Sequence, residues 1–117
     1  MTSTTPEGRV AAALRAATIS RGWETRKLKW EGRVGAPDYF VLASGCVFLI
    51  ECKQPGARPR ATQMLEFERL SASGMDVLVL DNAANAEALA ESIERYITGE
   101  YSDIDKFSFR RFRRWES

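Results

Sequence analysis

Apolar and polar positions change rhythm several times along this chain, and each change marks an element. Val10, Leu14 and Ala17 recur at helical spacing. Thr5-Pro6 suits an N-cap and a first helical position, so a helix is predicted from Pro6 to about Ser20, with Gly22 as its stop. Glu7, three residues before Val10, extends the inward face with an acid, and interaction with the helix dipole is one reason for it. Residues 1–5 form a polar start. Residues 23–30 alternate as a strand, and residues 31–35, Glu-Gly-Arg-Val-Gly, make a glycine-punctuated loop. Residues 35–53 contain two apolar runs around the turn-like Ser44-Gly45, the pattern of an antiparallel hairpin.

The second of those runs is informative by faces. Val47, Leu49, Glu51 and Lys53 share one side, and Cys46, Phe48, Ile50 and Cys52 the other. Both sides are apolar until the end, so the strand is predicted to be central and covered on both faces. Charges at its end are then costly unless they are paired or bind a cation. Further on, Pro59 is predicted to open a helix ending at Gly74, with Gln63, Phe67 and Leu70 on one face and Gln63 pointing inward. Residues 75–80 are a continuous apolar run, a buried strand. Residues 82–98 read as a helix with Ala86, Leu89, Ile93 and Ile97 inward and Gly99 as its stop. The predicted order is α-β-β-β-α-β-α, an α/β fold with a mixed central sheet flanked by helices. The last strand, reached through a helix, runs parallel to the one before it.

At 117 residues and 44% hydrophobic content, the chain is sized for one domain, placed at residues 1–99. Residues 100–117 form a basic and aromatic extension. There Tyr101, Phe107, Phe109, Phe112 and Trp115 interleave with Lys106, Arg110, Arg111, Arg113 and Arg114. Such a tail can bind nucleic acid through phosphates and stacked bases. It can also pack on the body or on a second subunit, and packing is preferred because so many aromatics do not stay solvated.

A net charge of +1 gives no global polyanion signal, so contact with nucleic acid would rest on local clusters. Lys27, Lys29 and Arg33 form one, beside Arg26, and Arg58 with Arg60 form another; solvated surface cations are the alternative reading. No apolar stretch has membrane-spanning length and the N-terminus lacks a signal-peptide pattern, so a cytoplasmic protein is expected. Cys46 and Cys52, on one strand roughly 20 Å apart at about 3.3 Å per residue, cannot bridge each other within it. The chain has no histidine, which removes Ser-His-Asp and Cys-His catalysis and imidazole-bound metals.

Folding the hairpin at Ser44-Gly45 brings Asp38, entering the first strand, alongside Glu51 and Lys53, leaving the second. Carboxylates without imidazole or thiolate partners select a hard, oxygen-liking ion such as Mg2+ or Mn2+. That ion and a neighbouring lysine suit phosphodiester hydrolysis. A buried Asp/Glu–Lys ion pair is the structural reading of the same three residues.

Pro37-Asp38, twelve intervening residues and then Glu51-Cys52-Lys53 resemble the PD-(D/E)xK nuclease signature. Gly35-Ala36-Pro37-Asp38, then Phe48-Leu49-Ile50-Glu51-Cys52-Lys53-Gln54-Pro55-Gly56 and a helix-opening Gln63, more narrowly resemble the virus-type replication-repair nuclease (VRR-NUC) domain in its small phage and bacterial form. The resemblance spans roughly residues 7–80. It implies a Mg2+- or Mn2+-dependent endonuclease acting on branched or structured DNA, such as a four-way junction or a flap. Asp38 and Glu51 become metal ligands, with the backbone carbonyl of Cys52 as a third, and Lys53 stands by the attacking water. Glu7 becomes the first-helix acid supporting a bound water or second ion, and Gln63 the glutamine that steadies the site. Likeness in fold to junction resolvases implies a homodimer, with the aromatic tail as a candidate interface. A catalytically silent DNA-binding module on the same fold is the alternative.

Overall fold

The structure is a computed structural model that describes residues 5–116, with side chains through residue 113. Residues 1–4 of the polar start, and the side chains of Arg114 and Trp115 in the tail, lie outside the described residues.

Helix α1, Pro6–Ile19, opens where Thr5 caps it: the Thr5 hydroxyl accepts from the Gly8 N–H at 3.0 Å. Its buried face is Val10, Ala11, Leu14, Ala17 and Thr18. Strands β1, Glu24–Lys27, β2, Tyr39–Ala43, β3, Cys46–Cys52, and β4, Val77–Leu80, form one sheet in that order. β1 and β2 pair antiparallel, as do β2 and β3, whereas β3 and β4 are parallel. Helix α2, Ala61–Ala72, makes the crossover between the parallel strands, and α3, Ala86–Thr98, follows β4. The architecture is the predicted α/β one, a mixed sheet between helices.

The hairpin register is set by its turn. Ala43 faces Cys46, leaving Ser44 and Gly45 as a two-residue connection with positive φ at both positions, 52° and 83°. That geometry matches the twist of the flanking strands, and glycine makes the second position cheap. The two faces of β3 enter two cores. Phe48, Ile50 and Cys52 pack with α1, α3 and Tyr39, Val41 and Ala43 of β2. Leu49 packs with Met64 and Phe67 of α2 and Val77 and Val79 of β4.

Several boundaries differ from the sequence expectation. β1 covers only 24–27 because Leu28 donates to the Asp38 carbonyl (2.7 Å) and the partner strand is then interrupted by Pro37, which has no N–H to give. α2 begins at Ala61 with Arg60 as its N-cap, so Pro59 precedes the helix. β4 starts at Val77, where pairing with Leu49 begins. Residues 83–85 form a 3-10 turn leading into α3.

The chain beyond Gly99 folds back onto the body as two 3-10 helices, Ile104–Phe107 and Phe109–Glu116. Phe107 joins the α1–α3 core, and Phe109 and Phe112 join the α2 core. Ser108 bridges to Leu78 on the open edge of β4. These phenylalanines are thus buried within the chain's own two cores, and Tyr101 remains exposed. Among the described residues, no helix is long and apolar enough to cross a membrane.

Candidate active site

The site lies where β2 begins and β3 ends. Tyr39 faces Ile50 in the register, so the next step of the ladder sets Asp38 beside Glu51. The two acids interlock through the backbone: the Asp38 N–H donates to Glu51 Oε1 at 3.1 Å, and the Cys52 N–H donates to Asp38 Oδ2 at 3.0 Å. Glu51 is 1% exposed and is held from a second side. Gln63 Nε2, from the first turn of α2, donates to its Oε2 at 2.8 Å, and Lys53 Nζ lies 3.1 Å from the same oxygen. Gln63 Oε1 accepts from the Arg60 N–H at 2.9 Å, so one side chain caps α2 and steadies the acid. Lys53 itself is anchored by its N–H to the Leu80 carbonyl, 2.9 Å.

Asp38, Glu51, Lys53 and Gln63 are therefore brought together as the sequence predicted. Burial pushes the Glu51 carboxyl up to about 7, and the Asp38 charge adds to the rise, while Lys53 and Gln63 oppose it. Burial likewise pushes the Cys52 thiol up, assisted by the charges of Asp38 and Glu51. A thiol in that state is a poor nucleophile or ligand, leaving the backbone carbonyl as what Cys52 can offer.

Among the described residues no group of three or more His, Cys, Asp or Glu side chains is placed to hold a metal ion. Two carboxylates are what the site provides, a donor set that fits an ion retaining water and taking substrate phosphate oxygens. The hydrogen-bond count supports that fit. Each carboxylate oxygen offers two acceptor positions; among the described residues Glu51 Oε2 is engaged by both Gln63 and Lys53, Glu51 Oε1 by the Asp38 N–H, and Asp38 Oδ2 by the Cys52 N–H. The remaining capacity is on Glu51 Oε1 and Asp38, the two groups whose mutual repulsion a cation would relieve.

A cavity of about 170 Å³ opens beside Asp38, lined by Thr5, Glu7, Gly8, Lys27, Tyr39 and Cys52 among others. Glu7 is exposed, which corrects its predicted place on the buried stripe: the core begins one turn later, at Val10, and the first turn of α1 reaches the cavity mouth. Lys27 Nζ sits 5.5 Å from the Tyr39 ring centroid. Lys29 and Arg60 are exposed. Arg58 donates to the Phe112 carbonyl at 3.0 Å, tying the loop after Lys53 to the tail. Arg33 pairs through Nε with Glu66 Oε1 at 2.8 Å.

Sequence reasoning had not singled out Glu66, Tyr39 or Arg15. Glu66 is 5% exposed, on the face of α2 shared with Gln63 three residues earlier, and that spacing was the available signal. Gly35 shows why this face matters. A Cβ there would stand 2.9 Å from the Thr62 carbonyl oxygen and 3.1 Å from Gln63 Cα, at a φ of +98°. The loop leading to Asp38 thus lies directly on α2, clamped by Arg33–Glu66. Arg15 of α1 donates from Nη1 to the Tyr39 hydroxyl at 3.1 Å, a contact across 24 residues with no local signature.

No family model matches the chain. It is similar to "Putative nuclease p44" of Acyrthosiphon pisum secondary endosymbiont phage 1, at 46% identity over 52 residues, a match covering 44% of this chain and 56% of that protein's length. A solved structure described as a VRR_NUC domain is similar over 75% of this chain and 97% of its own, with a TM-score of 0.69 and 33% sequence identity. The likeness extends through nearly all of that domain, at an identity above what fold alone would give, and the chain belongs to the VRR_NUC domain family.

Proposed function

We propose that this protein is a nuclease that hydrolyses DNA phosphodiester bonds with Mg2+ or Mn2+ as cofactor, cutting internally in branched or otherwise structured DNA such as a four-way junction or flap. The observation that carries the reading is the meeting of Asp38, Glu51 and Lys53 at one end of the sheet, in a chain of this family. The phage relative described as a nuclease supports the same class.

Asp38 and Glu51 would hold the ion, with the Cys52 carbonyl as a third oxygen. When bound, the ion supplies Lewis acidity toward the phosphodiester and lowers the pKa of water. Lys53, whose ammonium is buried against Glu51, orients the attacking water and balances the charge that develops on the phosphate oxygens. Gln63 keeps the Glu51 carboxylate in register with Asp38. Glu7, at the cavity mouth, supports a water or a second ion. Lys27, Lys29, Arg33, Arg58 and Arg60 contact the phosphate backbone. A homodimer, by analogy with junction resolvases, would place two sites for cuts on opposite strands.

The test is cleavage of labelled four-way junction, flap, duplex and single-stranded DNA in Mg2+, Mn2+ or EDTA, with Asp38→Ala in parallel. Metal-dependent cutting that the variant lacks is the expected result. Tight DNA binding by wild type with no cutting of any substrate would instead identify the silent binding module.

A further inference from the structure

Two cations from different elements meet on one tyrosine at the edge of the catalytic cavity. Arg15, on α1, donates to the Tyr39 hydroxyl at 3.1 Å, with its Cζ 5.9 Å from the ring centroid. Lys27, the last residue of β1, holds Nζ 5.5 Å from the same centroid. Among the described residues, neither forms a salt bridge with a carboxylate, although Arg21, Arg26, Arg33, Arg95, Lys106, Arg110, Arg111 and Arg113 all do. The Tyr39 ring attracts each cation, and Glu7 and Asp38, which line the cavity with Lys27, form no salt bridge with either among the described residues. A bound anion would give the two cations a charged partner.

The position says which anion. Tyr39 follows Asp38 directly, and Lys27, Tyr39 and Asp38 line the same cavity of about 170 Å³. Glu7 also lines that cavity, and Arg15 adjoins it through its hydrogen bond to the Tyr39 hydroxyl. We propose that Arg15, Lys27 and Tyr39 form a subsite for a single DNA phosphate, the linkage next to the scissile one. This rests on the nuclease reading above, and it adds the residues that fix where the strand lies relative to the cut. Tyr39 acts as the rigid platform: it is buried, its ring faces both cations, and its hydroxyl fixes the guanidinium.

The experiment is a methylphosphonate scan. Each linkage of a substrate strand is neutralised in turn, and binding is measured in EDTA across a salt series, for wild type, Lys27→Ala and Arg15→Gln/Lys27→Ala. Lys27 is exposed, so Lys27→Ala retains the fold even if the double variant does not; thermal melts check both. The expected result is one linkage, beside the mapped cut, at which neutralisation lowers the wild-type slope of log K against log salt by about 0.7–0.9, and at which the variants show little further loss. Losses at that linkage as large in the variants as in wild type would overturn the subsite. Cleavage in Mg2+ or Mn2+ without such coupling sinks the subsite and leaves the nuclease reading intact. Coupling at one linkage without any cleavage preserves the phosphate site and sinks the nuclease reading.

Discussion

The rim of the cavity and the C-terminal tail carry similar residues, cations among aromatics, and the fold uses them in opposite ways. In the tail each of the described cations meets an acid: Lys106 with Asp103, Arg110 with Asp76, Arg111 with Asp81 and Arg113 with Glu68. Its phenylalanines fill the two cores. At the rim, Lys27 and Arg15 converge on Tyr39 and form no salt bridge among the described residues, and the exposed Lys29 and Arg60 form none there either. Basic-aromatic composition therefore does not say which cations the fold pairs; the location of the acids does.

The largest effect expected from breaking this comparison is in the tail. Phe109 is fully buried, edge-on to Phe67 at 5.7 Å between centroids. Phe109→Ala should cost about 3–5 kcal/mol in denaturant unfolding. A tail that served only as an appendage would lose almost nothing.

Gly35→Ala should follow, at roughly 2–3 kcal/mol, because it combines a positive φ with a Cβ too close to the α2 backbone. Since that loop delivers Asp38, cleavage should fall further than stability alone explains. An alanine variant with wild-type melting and rate would show that the loop is not seated on α2.

The buried acid gives the next effect. Glu51 ionises near its ordinary value of 4.5 when unfolded but near 7 when folded, so between those values the native state binds more protons. Metal-free stability contributed by this group is thus present below about pH 4.5 and lost as pH rises through 7, a change on the order of 3 kcal/mol. Melting in EDTA across that window measures it, and a flat or rising contribution, judged against Glu51→Gln, would contradict the burial argument.

The smallest effects sharpen the contrast itself. Arg110→Gln and Arg113→Gln should each cost up to about 1 kcal/mol of stability and leave DNA affinity unchanged. Lys29→Gln and Arg60→Gln should leave stability within about 0.5 kcal/mol, while each lowers the salt slope of DNA binding by about 1. If the two sets exchanged phenotypes, the assignment of tail and rim would be reversed.

What the sequence made legible follows from short-range physics. Strand alternation separated Leu49 and Glu51 from Ile50 and Cys52, and the two-residue turn at Ser44-Gly45 fixed the register that sets Asp38 against Glu51. Gln63 stood out as an amide on an apolar face, and it is where that face meets the acid. Contacts between distant segments were not legible. Arg15 reads as a solvated helix residue until Tyr39 is folded beneath it, and Glu66 reads the same way until Gly35 brings Arg33 over it. The end of β1 depended on Pro37 in the partner strand, not on its own alternation. Glu7 shows the limit of periodicity, which continues past the point where the sheet stops covering the helix.

The claim at the centre of this account is that Asp38 and Glu51 form a cation site and that Lys53 serves the chemistry beside it. Calorimetric titration of Mn2+ into wild type, Asp38→Ala and Lys53→Ala, with cleavage measured on the same samples, separates those roles. Wild type should bind and cut, and Asp38→Ala should do neither. Lys53→Ala should bind Mn2+ at least as well, since a competing positive charge is gone, yet cut at least about 10²-fold more slowly. Equal Mn2+ binding by wild type and Asp38→Ala would contradict the cation site, and full-rate cleavage by Lys53→Ala would contradict the role of the lysine.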